Sequence, residues 1–338
     1  MSDQRANHSS TRYADSTRRS LAAGRAILAL AAITGCATAP ITEPIAEAGG
    51  EILVGMHVDA GDQMMVFRGV PYAAPPAGEL RWRPPEPHVP RTGRQDASRF
   101  GSACPQLQGN PDWYRDVAEK FGRPGTEIAD LTDIREDCLY LNVWTQNLAG
   151  DEPQPVMVWI HGGANVNGVA HEPNYLGYNL AKRDVVIVSI NYRLGALGFL
   201  AHPALSAESE RGVSGNYGLL DQIAALEWVR DNIASFGGDP DQVTVFGESA
   251  GAADIGTLIA SPLSKGLFRR AIIQSGGYSI DYRKTVRDAE AVGEGFLRTL
   301  GVDDGPGQLK QMRALSWQDI VDAVPTAAPG GLRDAVID

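Results

Sequence analysis

The segment Phe246-Gly247-Glu248-Ser249-Ala250-Gly251 constrains the fold of this chain more than any other feature of its sequence. It follows Gln242-Val-Thr-Val-Phe246, whose apolar pattern predicts a buried strand, and it leads into the small apolar residues 250–260, which predict a helix. A glycine on each side of the serine permits a tight strand-to-helix corner that larger side chains would block. The segment therefore predicts that Ser249 is an exposed nucleophile. The structural alternative is a serine that caps the helix N-terminus.

A second motif, His161-Gly162-Gly163-Ala164, follows the predicted strand that ends at Ile160. An acyl-transfer enzyme needs backbone N–H groups aimed at the oxyanion of its tetrahedral intermediate, and glycines let the chain approach closely enough to supply them. The alternative is a simple turn at the end of the strand. The presence of both motifs in one chain favours the catalytic interpretation.

The surrounding sequence predicts an α/β fold with a largely parallel sheet flanked by helices. Apolar runs that predict strands alternate with an amphipathic stretch that predicts a helix at 219–233, and the strand segments are 139–144, 156–160, 185–190, 242–246 and 271–274. Nearer the N-terminus, residues 52–58 and 64–67 predict a hairpin across 59–62. Residues 71–125, rich in Pro and Gly, predict long loops, and two or three helices are expected after Thr285.

The charge distribution argues against nucleic acid as a partner. The chain has 338 residues and a net charge of −11, whereas its first 35 residues carry five arginines against two aspartates. A nucleic-acid-binding protein needs a basic face for the phosphates, and the acidic body of this chain does not supply one.

The N-terminus has the features of an export signal. Arginines precede the apolar run 26–33, which is too short to span a bilayer, and small residues follow it. Because Ile33-Thr-Gly-Cys36 resembles a bacterial lipobox, we expect residues 1–35 to be a lipoprotein-type signal, Cys36 to be lipidated, and 36–48 to be a linker. The protein would then be exported to the periplasm or cell surface and tethered to a membrane. A plain cleaved signal is the alternative.

Three cysteines are present. If Cys36 carries lipid, Cys104 and Cys138 remain, and export to an oxidising compartment would allow them to form a disulfide. Two free buried thiols are the alternative on spacing alone.

Five segments, in this order, resemble the type-B carboxylesterase family, which includes the cholinesterases. They are 136–143 (EDCLYLNV), 161–163 (HGG), 191–195 (NYRLG), 215–221 (GNYGLLD) and 246–251 (FGESAG), and the likeness extends from about residue 48 to the C-terminus. The resemblance implies an α/β-hydrolase fold for 49–338 and hydrolysis of small-molecule carboxylic esters through an acyl-serine intermediate, without metal or organic cofactor.

The resemblance also assigns roles to individual residues. Ser249 would be the nucleophile, and Gly163, Ala164 and Ala250 would supply the oxyanion N–H groups. Cys104 and Cys138 would correspond to the first disulfide of the family. The family usually has a third glycine where this chain has Ala164, and we expect the added methyl group to alter the preference for bulky esters.

The triad is incomplete in this sequence. A serine nucleophile needs a histidine oriented by a carboxylate, and in this fold both follow the serine, but all six histidines precede Ser249. We therefore expect the sequence to be the N-terminal portion of the enzyme, inactive or nearly so by itself, with the acid and the histidine in a C-terminal segment. His161 is the alternative base. Glu248 would either set the charge of a substrate pocket or be a hydrogen-bonded structural carboxylate.

Two other functions remain open at this point. An esterase-like domain that has lost turnover would act in binding or adhesion, and a lipase or amidase could use the same scaffold. The intact Gly247-x-Ser249-x-Gly251 favours an enzyme.

Overall fold

The computed structural model describes residues 42–58, 63–107, 109–125, 130–148, 150, 152–277, 284–327, 332–333 and 336–337. The predicted signal 1–35, Cys36 and the first part of the predicted linker lie outside these residues. No helix in the described part of the chain is long and apolar enough to span a membrane.

Strands and helices alternate through the middle of the chain. The strands are β1 Ile45–Ala48, β2 Glu51–Val54, β3 Met56–His57, β4 Met65–Pro71, β5 Arg94–Asp96, β6 Tyr140–Thr145, β7 Gln154–Ile160, β8 Val186–Ile190, β9 Gly238–Glu248, β10 Arg270–Gln274, β11 Lys284–Thr285 and β12 Val336–Ile337. The helices are α1 Gly109–Lys120, α2 Tyr178–Ala181, α3 Gly195–Phe199, α4 Pro203–Glu208, α5 Tyr217–Asn232, α6 Ala250–Ala260, α7 Val286–Thr299, α8 Gln308–Ala314 and α9 Trp317–Ala327.

A seven-stranded mixed sheet in the order β10-β9-β7-β8-β6-β4-β3 forms the centre of the fold. The prediction of a parallel sheet holds for β10, β9, β7 and β8, whereas β6, β4 and β3 pair antiparallel. β7 and β9 lie side by side in the parallel half. Their carboxyl ends therefore meet at one edge of the sheet, the usual position of ligand sites in open α/β sheets.

The apolar runs form these strands because both faces of the sheet are covered. Alternate side chains of β7 and β8 are fully buried at Val156, Val158, Ile160, Val186, Val188 and Ile190. Leu226 and Val229 of α5 and Ile255 and Leu258 of α6 belong to the same core. Complete burial of an aliphatic side chain contributes about 1.5–3 kcal/mol, so this core holds the elements around the carboxyl ends of β7 and β9 in place.

A second core lies among the later helices. Trp82 is buried there against residues of α3, α7, α8 and α9, and its indole N–H donates to Ala196 O at 2.9 Å. The three helices α7, α8 and α9 agree with the prediction of two or three helices after Thr285.

The N-terminal region differs from the prediction. Only β3 and β4 form the predicted hairpin, because β2 pairs instead with β1 and β5 in a separate three-stranded sheet. Residues 45–48, assigned to the linker, form β1. Residues 71–125, predicted as loops, contain a short 3₁₀ helix at Gly78–Leu80 together with β5 and α1. The Gly49-Gly50 pair, with φ of 60° and 80°, forms the turn between β1 and β2 and is a local hairpin signal that the prediction missed, whereas the pairing of β2 with β5 joins segments distant in sequence.

One buried ion pair connects the segments 191–195 and 215–221, and a disulfide bond connects Cys104 with the segment 136–143. Arg193 donates to both oxygens of Asp221 at 2.7 and 2.8 Å, and the two side chains are 3% and 0% exposed. Cys104 and Cys138 form a disulfide bond, as the resemblance implied. Removing one partner of such a buried pair costs about 3–5 kcal/mol, so the motif that contains Arg193 and the motif that contains Asp221 depend on each other.

Candidate active site

Ser249 stands at the corner between β9 and α6. Its backbone has φ 54° and ψ −119°, outside the regions that L-residues usually occupy, and its N–H donates to Gln274 O on the neighbouring strand at 2.9 Å. The residue is half-buried rather than enclosed in the core. Its hydroxyl makes no capping bond to α6, so the helix-cap interpretation of this serine is wrong.

The two flanking glycines are required by the close approach of neighbouring backbone. A β-carbon at Gly247 would lie 2.7 Å from Ile160 O, and one at Gly251 would lie 2.2 Å from the same oxygen. Real β-carbons do not approach oxygen atoms this closely. The predicted clash is confirmed, and the structure adds that the end of β7 is the obstacle.

The loop of residues 162–165, here called the oxyanion loop, lies directly beside Ser249. A β-carbon at Gly162 would be 3.2 Å from Ser249 Cβ and 2.9 Å from Glu248 O, and one at Gly163, where φ is +96°, would be 2.0 Å from Asn167 O. Ala164 also has a positive φ, of 54°, although it is not a glycine. The loop is therefore held in a conformation that favours glycine, and two of its residues with a β-carbon, Ala164 and Asn165, adopt a positive φ.

The backbone N–H groups near Ser249 are available to bind a negative charge. Among the hydrogen bonds of the described residues, none uses the N–H of Gly163 or Ala164. Ala250 is the first residue of α6, and the first N–H groups of a helix have no partner within it. Such groups, together with the helix dipole, stabilise an oxyanion. The structure thus places Gly162, which directly precedes Gly163 and Ala164, against Ser249, and Ala250 directly follows the serine at the start of α6.

Glu248 lies against the oxyanion loop, and its Oε2 would be 3.1 Å from a β-carbon at Gly162. Burial and the nearby Glu172 raise the pKa of Glu248. Glu172 is itself buried and accepts a 2.5 Å hydrogen bond from the Tyr114 hydroxyl of α1. The carboxyl group next to the candidate nucleophile is therefore partly buried and near a second one, and Glu248 is not simply exposed to water.

Each of the five histidines in the described residues has a hydrogen-bond or ring partner other than Ser249. Their partners are the Thr42 carbonyl for His57, Glu51 for His88, the Gly162 carbonyl for His161, the Phe100 ring for His171 and the Ala204 N–H for His202. None of these contacts joins a described histidine to Ser249, and His8 lies outside the described residues.

His161, the alternative base, has a structural environment. It is 1% exposed, its Nδ1 lies 2.8 Å from Gly162 O, and its ring stacks on Tyr192 with centroids 4.4 Å apart. Burial lowers the pKa of His161 to about 4. A ring that is enclosed and bonded to the oxyanion loop supports that loop and is poorly placed to accept the serine proton.

Sequence reasoning missed three polar residues around the site: Asn165, Glu172 and Asp254. Asp254 is fully buried in α6, and its carboxylate accepts hydrogen bonds from Asn165 and Gln222. A signal was present, because Asp254 is the single charged residue in the otherwise apolar segment 250–260, and such a residue inside a buried helix needs a partner.

Comparison with known proteins agrees with this geometry. A family described as "Carboxylesterase family" matches residues 47–336. The fumonisin B1 esterase of Sphingopyxis macrogoltabida is 48% identical over 227 residues, which are 67% of this chain and 39% of that protein. The para-nitrobenzyl esterase of Bacillus subtilis (strain 168) is 44% identical over 261 residues, 76% of this chain and 48% of that protein. The chain spans about half the length of these relatives or less.

A solved structure supports the fold. The crystal structure of a Geobacillus stearothermophilus carboxylesterase at pH 6.2 matches with a TM-score of 0.73 and 37% identity, over 87% of this chain and 55% of that chain. The α/β-hydrolase fold predicted from the sequence is confirmed.

Proposed function

Because the chain belongs to the carboxylesterase family, we propose that it hydrolyses carboxylic esters through an acyl-enzyme intermediate on Ser249. The observation that carries this proposal is the strained corner at Ser249, with φ 54°, set against the oxyanion loop. Strained backbone persists where the surroundings hold it, and such positions cluster at functional sites.

The geometry supports a two-step reaction. In the first step the Ser249 oxygen bonds to the ester carbonyl carbon, and the N–H groups of Gly163, Ala164 and Ala250 stabilise the negative charge on the carbonyl oxygen. Collapse of this intermediate breaks the carbon–oxygen bond of the ester, and the alcohol leaves with the proton from serine. In the second step water attacks the acyl group, which regenerates the serine and releases the acid.

A base must carry the proton between serine, alcohol and water. Since none of the hydrogen bonds of the described histidines goes to Ser249, we propose that the base is a histidine, oriented by a carboxylate, from outside the described part of the chain. His161 is disfavoured in this role because it is buried and bonded to Gly162.

The substrates are proposed to be small carboxylic esters, and Ala164 is proposed to restrict them. The two relatives are named a fumonisin B1 esterase and a para-nitrobenzyl esterase, and these names support small esters as the substrate class. The methyl group of Ala164 is exposed beside the site, where the family usually has glycine. We expect Ala164→Gly to raise kcat/KM for bulky acyl esters relative to acetate, and an unchanged ester profile would contradict this role.

The protein is further proposed to be exported and tethered through a lipid on Cys36. The basic and apolar pattern of residues 1–35 supports this proposal, as does the Cys104–Cys138 disulfide, because such bonds persist in oxidising compartments. Mass spectrometry of the mature N-terminus tests it, since an unmodified cysteine would contradict the tether.

Covalent labelling separates hydrolysis from a non-catalytic binding role. A fluorophosphonate is expected to label the whole protein at Ser249, with loss of p-nitrophenyl acetate turnover in proportion. Ser249→Ala should abolish both, whereas Ser209→Ala, a serine distant in sequence at the end of α4, should change neither. A whole protein that folds but shows neither labelling nor turnover would overturn the proposal.

Comparison of substrates then addresses the lipase and amidase alternatives. Short-chain p-nitrophenyl esters, emulsified triglycerides and the corresponding anilides are assayed with the same enzyme. The proposal expects turnover of the soluble esters to exceed the other two by at least tenfold.

A further inference from the structure

Two separate pieces of chain form the candidate oxyanion hole. Gly163 and Ala164 belong to the oxyanion loop after β7, whereas Ala250 and the nucleophile Ser249 belong to the start of α6. Stabilisation of a transition state requires that such groups keep their mutual positions to within about 0.5 Å. A contact that connects the loop with the helix therefore bears directly on catalysis.

The side chains of Asn165 and Asp254 make that contact. Asn165 directly follows Ala164 in the loop, and its Nδ2 donates to Asp254 Oδ1 at 3.1 Å. Asp254 lies in α6, five residues after Ser249, and is 0% exposed, while Asn165 is 5% exposed. The hydrogen bond is thus buried and joins the two halves of the site across 89 residues of sequence.

Further hydrogen bonds hold both partners in one orientation. Gln222 of α5 donates to Asp254 Oδ2 at 2.7 Å, so each oxygen of the carboxylate accepts an amide N–H. The Tyr192 hydroxyl lies 3.0 Å from Asn165 Oδ1 and 2.9 Å from His161 O. Burial and the nearby Asp254 raise the pKa of Tyr192 well above its usual range, so this hydroxyl keeps its proton and donates. Buried side chains connected in this way have little freedom to rotate.

The loop conformation needs such support. Ala164 and Asn165 both have a positive φ, of 54° and 57°, and each costs about 1 kcal/mol or more for a residue with a β-carbon. The Asn165 carbonyl accepts a 2.6 Å hydrogen bond from Gly195 N, so its backbone and its side chain are both anchored. Without the side-chain anchor, the loop could relax to a conformation in which the Ala164 N–H turns away from the serine.

We propose that Asp254 and Asn165 are positioning residues, whose hydrogen bond fixes the oxyanion loop against the nucleophile helix and sets the geometry of the oxyanion hole. This inference rests on the proposed ester hydrolysis. The pair acts through Ala164 and Ala250 and does not touch the substrate.

The test compares single substitutions with an exchange of the two side chains in the whole protein. In Asp254→Asn, the new amide NH₂ group faces one of the two amide NH₂ groups, of Asn165 or Gln222, that donate to the carboxylate in the wild type. In Asn165→Asp, two carboxylates face each other. Each single variant should lower kcat by about tenfold to a hundredfold with little change in KM, because the loss falls on the transition state. The double variant, with both substitutions, restores a donor opposite an acceptor between residues 165 and 254 and should raise kcat above that of either single variant; recovery is incomplete because a carboxylate at position 165 cannot donate to Arg333 O, which Asn165 Nδ2 reaches at 3.3 Å.

Two measurements separate positioning from a merely structural role. Fluorophosphonate titration counts functional sites, so that kcat is expressed per labelled site. A trifluoromethyl ketone forms a tetrahedral adduct whose oxygen occupies the oxyanion hole, and its affinity should fall in parallel with kcat in the single variants. Asp231→Asn, a matched change at an exposed aspartate paired with Arg230, should leave both quantities unchanged.

The outcomes are distinguishable. The positioning role would be overturned if the single variants keep the wild-type kcat per labelled site and the wild-type ketone affinity. This holds also if the fraction of enzyme that is labelled falls while these two quantities stay unchanged. A double variant as slow as the single variants would also overturn it. Absence of ester turnover in the wild type itself would overturn the proposed function, and this inference with it.

Discussion

Ser249→Gly should abolish ester hydrolysis and at the same time raise the free energy of unfolding of the protein. The backbone of Ser249 has φ 54° and ψ −119°, a region in which a β-carbon is unfavourable. Sparsely populated backbone conformations of this kind cost about 1–3 kcal/mol. Glycine has no β-carbon and removes most of this cost.

The comparison must be made with Ser249→Ala, which also lacks the hydroxyl but keeps the β-carbon. Glycine loses about 0.4–1 kcal/mol relative to alanine through the greater entropy of the unfolded chain. After this loss is subtracted, Ser249→Gly should exceed Ser249→Ala in free energy of unfolding by about 1 kcal/mol. With a urea m-value of about 3 kcal/mol/M, the midpoint of unfolding rises by about 0.3 M.

Equilibrium unfolding in urea, followed by tryptophan fluorescence and by circular dichroism, measures this difference. A matched pair at Ser209, where φ is −73° and ψ is 133°, controls for the intrinsic effect of glycine. At that site Ser209→Gly should be less stable than Ser209→Ala by about 0.4–1 kcal/mol. If glycine is the less stable residue at Ser249 as well, the corner is not strained and the argument for a strained nucleophile fails.

The remaining predictions concern the corner, the disulfide and a buried histidine. Gly251→Ala should abolish ester turnover and lower the urea midpoint of unfolding, because the new β-carbon would lie 2.2 Å from Ile160 O at the end of β7. Its control is Gly295→Ala in α7, where the new methyl group meets open space and should raise the free energy of unfolding by about 0.5–1 kcal/mol. Replacement of both Cys104 and Cys138 by serine should lower the free energy of unfolding by about 4 kcal/mol, because the disulfide closes a loop between residues 34 positions apart. Urea unfolding of the double variant and of the oxidised protein measures the difference, and equal free energies would contradict the prediction. Burial lowers the pKa of His161 to about 4, so between about pH 6.5 and 4 the unfolded chain binds a proton that the folded chain does not. The contribution of this histidine to the free energy of unfolding should therefore be full above about pH 6.5 and fall by on the order of 3 kcal/mol as the pH is lowered to 4. Unfolding curves collected from about pH 4 to 7 should show a weaker pH dependence of stability in His161→Gln.

Much of the site could be predicted because its determinants are adjacent in sequence. The Gly-x-Ser-x-Gly pattern directly after an apolar run identifies Ser249 from adjacent residues, although the clash that requires glycine at 247 and 251 is with Ile160 O of the neighbouring strand β7. Local backbone geometry favours glycine at 163, where φ is positive, whereas Gly162 is constrained by the approach of Glu248 and Ser249. Buried parallel strands were recognisable for a related reason, since burial on both faces leaves an uninterrupted apolar run.

Elements that depend on distant partners were not predictable. The sequence 52–58 has the pattern of one long strand, yet β2 joins β1 and β5 while β3 joins β4, because pairing depends on which edges are adjacent in space. The helix α1 lies in a segment rich in Pro and Gly and was predicted as a loop. Its Tyr114 contacts Glu172, a partner 58 residues away.

The sequence by itself determined the identity of the nucleophile and the class of fold, because the Gly-x-Ser-x-Gly pattern and the uninterrupted apolar runs are visible in residues that are adjacent in the chain. Only the tertiary structure decided how the nucleophile helix and the oxyanion loop are held together. Asn165 and Asp254 are 89 residues apart, and nothing in either local sequence specifies the other. A hydrogen bond between them exists only because β7 and β9 lie side by side, which places the loop after one strand against the helix after the other.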